Sequence, residues 1–183
     1  MKIFDTRNDF IKTLNKDLII CEIGVFKGEF SKFIFDEINP KELHLIDIFE
    51  GMMCSGDKDG NNIIWVNLND EIELIKNVFL INENVSIHKG FSYDVLKTFN
   101  DDYFDMIYID GDHTYDGVKT DLNISLNKIK PGGLICGHDY SESKFPEVVK
   151  AVNEFCFEND LDINFITKDG CPTFGIIKKI LHL

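Results

Sequence analysis

Basic residues are scarce in this chain of 183 residues. Lys and Arg together number 19 against 32 Asp and Glu, which gives a formal net charge of −13 at pH 7. A protein this acidic repels the phosphates of a nucleic acid, so we expect no nucleic-acid partner. Long apolar runs are absent as well. None reaches the roughly 18 residues of a membrane span, and the first residues contain no apolar signal region. We therefore expect a cytoplasmic protein that has no membrane partner.

Paired cysteines are also missing from the sequence. The five cysteines, at positions 21, 54, 136, 156 and 171, are odd in number and include no CxxC pair. Cys21 and Cys136 stand inside apolar, strand-like runs, where a reduced cysteine behaves as a small hydrophobic side chain. We expect no structural disulfide, which agrees with a cytoplasmic location.

Apolar residues, by contrast, are abundant. They make up 44% of the sequence and include 16 Phe, which indicates a folded globular protein rather than a disordered one. A chain of this length suits one domain with a full core. We therefore expect residues 1–183 to form a single domain.

The stretch LIICEIGVFKG, residues 18–28, organises the rest of the chain. Its four leading apolar residues do not alternate with polar ones, as in a strand buried on both faces of a parallel sheet. Glu22, Gly24 and Gly28 follow, and then a helical pattern. Such a turn brings backbone N–H groups close to a ligand, although a plain turn between strand and helix would leave the same pattern. Ser31 replaces the third glycine of a dinucleotide fingerprint, which argues against a dinucleotide but not against a nucleoside.

Apolar runs and helical patterns alternate along the chain. This alternation predicts an α/β fold with a doubly wound, mostly parallel sheet that ends in an antiparallel hairpin. The predicted strands are residues 18–21, 43–48, 85–88, 104–109, 134–136, 161–166 and 173–179. The predicted helices are residues 9–14, 29–38, 67–81, 92–99, 115–129 and 146–155. A polar, glycine-rich loop is predicted at residues 51–62, with Met52, Met53 and Trp65 beside it as a candidate lid or dimer contact.

Polar residues follow several of the predicted strands. They are Glu22, Asp47, Asp110, His138 and Asp139. Ligands of such sheets bind beyond the carboxyl ends of the strands, so these side chains should gather at one site. Asp47 lies 19 residues beyond Gly28, where a carboxylate can accept the hydroxyl hydrogens of a ribose. The alternative for Asp47 is an exposed strand-end residue without a ligand.

Two of these strand ends carry a distinctive signature, IDGDHTY at residues 109–115 and GHDY at residues 137–140. Together with EIGVFKG and LHLIDIF, in this order along the chain, they resemble a known family over roughly residues 20–140. The sequence is similar to small class I S-adenosylmethionine-dependent methyltransferases, of the group that includes macrocin-type sugar O-methyltransferases (methyltransferase family 24). The resemblance implies a Rossmann-like sheet with the seven predicted strands in the order 3-2-1-4-5-7-6.

The resemblance also implies which residues contact the S-adenosylmethionine cofactor. Glu22 and Gly24 would contact its methionine part, Asp47 its ribose, and Ser92 would lie near its adenine. Gly28, in the glycine turn, and Asp110 complete the cofactor-binding set.

In metal-dependent relatives, an Asp at the position of Asp110 and an acidic pair at His138 and Asp139 hold a magnesium ion. A His three residues after the first ligand, here His113, serves as general base, so the implied catalytic residues are His113 and Asp110. His138 departs from that pattern, since imidazole suits manganese, iron or zinc better than magnesium. Three alternatives stay open: another divalent metal binds, His138 only neighbours the site, or no metal binds.

We therefore expect a methyltransferase that acts on a hydroxyl of a sugar or another small molecule, with assistance from a divalent metal left open. One alternative is a nicotinamide-dependent oxidoreductase on a similar sheet. Another is a non-catalytic nucleoside-binding module, because the chain shows no separate domain to cap a substrate. Self-association would supply such a cap, so a homo-oligomer is a further hypothesis.

Overall fold

The computed structural model describes residues 1–50, 52–56 and 63–180. The strands are β1 (Lys2–Phe4), β2 (Ile19–Ile23), β3 (Glu42–Asp47), β4 (Met52–Gly56), β5 (Ile63–Asn67), β6 (Val85–Lys89), β7 (Phe104–Ile109), β8 (Ile129–Gly137), β9 (Ile163–Thr167) and β10 (Phe174–Ile177). The helices are α1 (Arg7–Ile11), α2 (Glu29–Ile38), α3 (Leu68–Val78), α4 (Ser92–Leu96), α5 (Tyr115–Lys128) and α6 (Pro146–Glu158).

Eight of these strands form one sheet in the order β1-β9-β10-β8-β7-β2-β3-β6. The central strands pair in parallel, and β10 is antiparallel to both β8 and β9. The α/β class, the order of the seven predicted strands and the antiparallel hairpin are thereby confirmed. The eighth strand, β1, was not predicted. It contributes only three residues at the sheet edge beside β9, too few for a recognisable alternation.

Helices cover both faces of the sheet, and each face has its own apolar core. All five residues of β2 are buried, which explains why its sequence is apolar without alternation. Residues of α5 and α6 pack on one face, and residues of α1, α2 and α3 pack on the other. Cys21 and Cys136 are buried as expected, and Cys21, Cys136, Cys156 and Cys171 are free thiols. No helix in this part of the chain is long and apolar enough to cross a membrane.

Two local predictions need correction. Residues 52–56 were predicted as loop, but they form β4, which pairs with β5 in a separate antiparallel hairpin. The remainder of the predicted loop, and the side chains of Met52, Met53 and Trp65, lie outside the described residues, so the lid hypothesis stays untested. The helix predicted to reach Ile129 ends at Lys128, because Ile129 already pairs with Phe104 at the start of β8.

The chain reverses its winding direction between β2 and β7. From β2 it proceeds to β3 and β6 on one side, and then crosses to β7 and β8 on the other. At such a switch point the connections leave in opposite directions and open a crevice at the carboxyl ends of the strands. The segments that follow β2, β3, β7 and β8 border this crevice.

Candidate active site

The glycine turn after β2 is held tightly against the segment that follows β7. Gly24 has φ +83°, and a Cβ atom there would lie 2.0 Å from the carbonyl oxygen of Asp110. Gly28, the residue that precedes α2, has φ +74° and faces Ile75. Both glycines adopt backbone conformations that other residues rarely adopt. Gly24 is therefore required by the contact of two backbone segments, before any ligand is considered.

Glu22, at the end of β2, is fully buried, with 1% of its surface exposed. Ser31 on α2 is also buried, and its hydroxyl donates a hydrogen bond to Glu22 Oε2. Burial raises the pKa of Glu22 to about 8, since the hydrogen bond from Ser31 only partly offsets the loss of water. The residue that replaces the third glycine thus positions the carboxyl group at the bottom of the crevice.

Asp47, at the end of β3, binds the glycine turn through its side chain. Its Oδ2 accepts hydrogen bonds from the backbone N–H groups of Val25 at 2.9 Å and Phe26 at 3.0 Å. Its Oδ1 accepts one from the N–H of Phe49 at 2.8 Å. A carboxylate offers roughly four acceptor positions, so three bonds leave capacity for about one more. The side chain could therefore accept one ribose hydroxyl, whereas two would require a loop amide to give way.

A cavity of about 270 Å³ lies beside Asp47, between the ends of β2, β3 and β6. Gly24, Asp47 and Gly111 contribute to its walls, and so does Ser92, the first residue of α4. The Ser92 hydroxyl donates a hydrogen bond to Asp121, a buried residue of α5 whose pKa is raised by burial to about 6. Ser92 therefore lines this cavity, with its hydroxyl bonded to the protein interior.

A second cavity of about 240 Å³ lies on the other side of Gly24. Glu22 and Phe30 line it near the glycine turn, and Asp110 and His113 line it near β7. Because Gly24 contributes to both cavities, they adjoin across the turn. Together they form one extended crevice, and ionisable groups are most numerous around the second cavity.

The four residues predicted for catalysis or metal binding contact one another beside the second cavity, which Asp110 and His113 line. His113 Nε2 approaches Asp139 Oδ2 to 2.8 Å, and His138 Nδ1 lies 3.3 Å from Asp139 Oδ1 and 3.6 Å from Asp110 Oδ1. We call Asp110, His113, His138 and Asp139 the strand-end cluster. Its members come from the segments after β7 and β8, which are adjacent parallel strands.

Charges within the strand-end cluster change its titration. The Asp139 carboxylate raises the pKa of His113 above its ordinary value. Burial opposes protonation of His138, but the neighbouring carboxylates of Asp110 and Asp139 outweigh it and raise the pKa of His138 to about 9. Burial likewise opposes ionisation of Asp139, yet the two imidazoles hold its pKa well below the usual range. Each imidazole therefore favours its positively charged form beside these carboxylates.

The donor atoms of this cluster also fit a divalent cation. Asp110, His113 and Asp139 each place one ligand atom within 4.8 Å of the other two. Nε2 of His113 is buried, and its contact with Asp139 Oδ2 lacks the geometry of a well-formed hydrogen bond, so this nitrogen can take a further partner. Two carboxylate oxygens and an imidazole nitrogen suit manganese, iron or zinc, and the carboxylates alone suit magnesium. The sequence placed His138 in the metal set, whereas this grouping contains His113 instead.

The crevice also contains Arg7, which was not predicted as a site residue. Arg7, at the start of α1, places Nη1 3.3 Å from Asp110 Oδ2 and lies over the ring of Phe30, with Cζ 4.1 Å from its centroid. A residue 103 positions before its partner leaves no local pattern. The sequence does contain one indication of its importance: Arg7 is the sole arginine among the 19 basic residues.

The segment that contains most of the crevice residues matches the sequence model of a known family. The model of a family described as "Methyltransferase domain" (Methyltransf_24) matches residues 21–140, from β2 to just beyond β8. The chain belongs to this family. Together with the sheet order, the match identifies a class I S-adenosylmethionine-dependent methyltransferase and confirms the resemblance seen in the sequence.

The individual proteins that resemble this chain have low sequence identity to it. An uncharacterized protein of Acanthamoeba polyphaga mimivirus is 30% identical over 161 residues, which are 82% of this chain and 65% of that protein. The chain therefore spans slightly less than two thirds of the length of this relative. The structure of the O-methyltransferase NovP superposes with a TM-score of 0.70 at 21% identity, over 95% of this chain and 80% of NovP. A putative methyltransferase from Streptococcus mutans in complex with SAH has a TM-score of 0.66 at 14% identity, over 93% and 94% of the two chains. At these identities the two structures show the shared fold alone.

Proposed function

We propose that this protein transfers the methyl group of S-adenosylmethionine to a hydroxyl oxygen of a sugar or another small molecule. The observation that carries the proposal is the strand-end cluster beside Gly24, where ionisable side chains suited to proton transfer adjoin the cavities suited to the cofactor. The family gives methyl transfer, and the cluster supports oxygen as the acceptor atom, because a hydroxyl group needs a base before it can attack.

The cofactor would lie along the crevice, across the glycine turn. Its adenosine would occupy the cavity beside Asp47 and Ser92, and its methionine part the cavity beside Glu22. The SAH that the Streptococcus mutans structure contains supports this choice of cofactor. The remaining acceptor capacity of Asp47 would bind one ribose hydroxyl.

Methyl transfer is an in-line displacement. When bound, S-adenosylmethionine would supply the methyl group: a C–O bond would form as the C–S bond of the sulfonium breaks, and the electron pair of the C–S bond would stay on sulfur to give S-adenosylhomocysteine. The proton of the acceptor hydroxyl would pass to the neutral form of His113 through Nδ1, the ring nitrogen that does not face Asp139. Asp139 would hold the imidazole in place and stabilise its charged form after proton transfer.

As an alternative to that role of His113, Asp110, His113 and Asp139 would hold a divalent cation, with one imidazole nitrogen as a ligand in place of the base. Such an ion, when bound, lowers the pKa of a hydroxyl group that it contacts. His138 and Arg7 place positive charge beside Asp110, so they would share that carboxylate with the ion. Metal assistance is therefore tested separately, by comparing methyl transfer with added metal ions and with chelator.

The first experiment is calorimetric titration of the protein with S-adenosylhomocysteine, alongside Asp47→Asn and with NAD as the comparison ligand. Micromolar affinity that falls in Asp47→Asn would support the cofactor and its ribose contact. Asn is preferred to Ala because its amide oxygen can still accept from the glycine turn. Binding of NAD in place of S-adenosylhomocysteine would contradict the proposal and favour an oxidoreductase.

The second experiment measures methyl transfer from labelled S-adenosylmethionine to sugars and other hydroxylated compounds, with magnesium, manganese or zinc and with chelator. Turnover of any hydroxyl acceptor supports the proposal, and the chelator arm reports on the metal. Cofactor binding without turnover in every arm would favour a non-catalytic nucleoside-binding module.

A further inference from the structure

We propose that Arg7 binds the α-carboxylate of the cofactor's methionine end. This inference rests on the proposed function, because it assigns a residue to the cofactor that the function requires. It goes beyond the cofactor contacts predicted from the sequence, all of which lie between Glu22 and Asp110. It also gives the segment before β2 a function in the site.

The backbone around Arg7 is anchored to the far edge of the sheet. Strand β1 pairs with β9, and the N–H of Lys168 donates to the carbonyl of Phe4 at 3.1 Å. The N–H of Arg7 itself donates to the carboxylate of Asp169 at 3.1 Å. These contacts direct the side chain into the crevice, where it is about 29% exposed. Arg7 is therefore positioned by strand pairing and not by its short helix alone.

The guanidinium group is held in place but retains hydrogen-bonding capacity. One face packs on the ring of Phe30, and one nitrogen forms a long contact of 3.3 Å with Asp110. A guanidinium carries five N–H donors in a rigid plane, so several remain for a ligand. Two parallel N–H groups match the two oxygens of a carboxylate, which makes this geometry more selective than a lysine ammonium.

The charges around the second cavity are complementary to the α-amino acid group at the methionine end of the cofactor. Such a group carries an ammonium and a carboxylate on one carbon atom. Glu22 and Asp110 offer oxygen acceptors for the ammonium, and Arg7 offers donors for the carboxylate. Lys27 is the competing cation, since it lines the same cavity. Its ammonium lies 5.3 Å from the ring centroid of Phe26, whereas Arg7 packs more closely on Phe30 and contacts Asp110.

The test compares two ligands that differ only at this end. S-adenosylhomocysteine has the α-amino acid group, and 5′-methylthioadenosine keeps the adenosine and sulfur without it. Both are titrated by calorimetry into the unaltered protein and into Arg7→Met, Arg7→Lys, Lys27→Met and Lys12→Met. Met keeps an apolar stem to cover Phe30. Lys12 is exposed at the end of α1, so Lys12→Met removes the same charge outside the cavity.

We expect Arg7→Met to weaken S-adenosylhomocysteine by about 10- to 100-fold, as for a charge-assisted bidentate contact. Its affinity for 5′-methylthioadenosine should change less than about threefold. Arg7→Lys should recover part of the loss, and Lys12→Met should leave both ligands unaffected. The ratio of the two affinities isolates the carboxylate contact from any general damage to the crevice.

Three results would overturn the proposal. Equal losses for both ligands in Arg7→Met would show a packing role, and unchanged affinities would show no role in the cofactor site. A loss selective for S-adenosylhomocysteine in Lys27→Met but not in Arg7→Met would assign the carboxylate to Lys27. Failure of the proposed function looks different: the unaltered protein would bind neither ligand if the cofactor is wrong, and would bind both without methyl transfer if the chain is not catalytic.

Discussion

The glycine turn after β2 and the strand-end cluster after β7 and β8 border the same crevice, but different interactions hold them. Around the turn, backbone groups dominate: Gly24 contacts the Asp110 carbonyl, and Asp47 accepts three backbone N–H groups. In the cluster, side chains contact one another, and two imidazoles are balanced by two carboxylates.

This difference indicates that the glycine turn determines the shape of the crevice and that the strand-end cluster determines its chemistry. Backbone contacts admit few substitutions because an added Cβ atom meets a neighbouring segment, so the turn provides a constant surface for an invariant ligand. Ion pairs between side chains can be rearranged by a proton, a metal ion or a single substitution. We therefore expect changes at the turn to affect folding and binding, and changes in the cluster to affect turnover.

The largest expected effect is on turnover, from His113→Ala. If His113 is the general base, methyl transfer to a hydroxyl should fall by about 10²- to 10⁴-fold. The affinity for S-adenosylhomocysteine should stay within about threefold, since Gly24 and Asp47 are unchanged. A radiometric assay and calorimetry measure the two quantities. His88→Ala is the control, because it removes a histidine that contacts His44 on the neighbouring strand instead. Full activity in His113→Ala would exclude the base assignment.

At the turn, Gly24→Ala should instead reduce the stability of the fold. Its Cβ atom would lie 2.0 Å from the Asp110 carbonyl oxygen at a φ of +83°, so the two segments must separate. We expect the free energy of unfolding to fall by about 3 kcal/mol or more. Urea denaturation measures this. Gly170→Ala is the matched control, because the nearest atom to its added Cβ atom is Lys144 Nζ at 3.9 Å. Similar stabilities for the two variants would contradict the close approach.

A third prediction concerns pH and Glu22. Its pKa is about 8 in the folded protein against an ordinary value of 4.5, so the folded state holds this proton more tightly than the unfolded state. The resulting stability is complete below about pH 4.5 and is lost as the pH rises towards 8. Glu22→Gln removes the titration and should be more stable than the unaltered protein at pH 9 by on the order of 3 kcal/mol.

Denaturation at pH 5 and pH 9 distinguishes this from a uniform effect. An equal stability difference between Glu22→Gln and the unaltered protein at the two pH values would show that the pKa of Glu22 is not raised. The same variant should bind S-adenosylhomocysteine more weakly if the carboxylate contacts the cofactor's ammonium group. Higher stability with weaker binding is expected of a buried functional carboxyl group.

The smallest expected effect is that of Ser31→Ala, which removes the hydroxyl that donates to Glu22. A buried polar group left without its partner costs about 1–3 kcal/mol, and we expect the lower end because Glu22 can be protonated. Ser143→Ala, at an exposed serine, should change the free energy of unfolding by less than about 0.5 kcal/mol. Equal results for the two variants would show that the Ser31 contact contributes nothing to stability.

Most strands and helices of this protein could be predicted because each depends on a pattern within a short stretch of sequence. The apolar runs of β2, β3 and β7 give each strand and its end, and parallel strands bring those ends to one edge of the sheet. Asp110 and Asp139 could therefore be assigned to one site although 29 positions separate them. The hairpin of β4 and β5 was not predicted. One reason is that β4 lies in a polar, glycine-rich segment that is typical of loops.

The sequence by itself determined the α/β class, the strand order through its family resemblance, and the residues at the carboxyl ends of the strands. Only the tertiary structure decided which partner each of those residues has. It showed that Ser31 contacts Glu22, that three backbone N–H groups occupy Asp47, and that Arg7 reaches Asp110. The physical reason is that periodicity reports which face of an element is buried, whereas a contact between distant residues depends on how the elements pack.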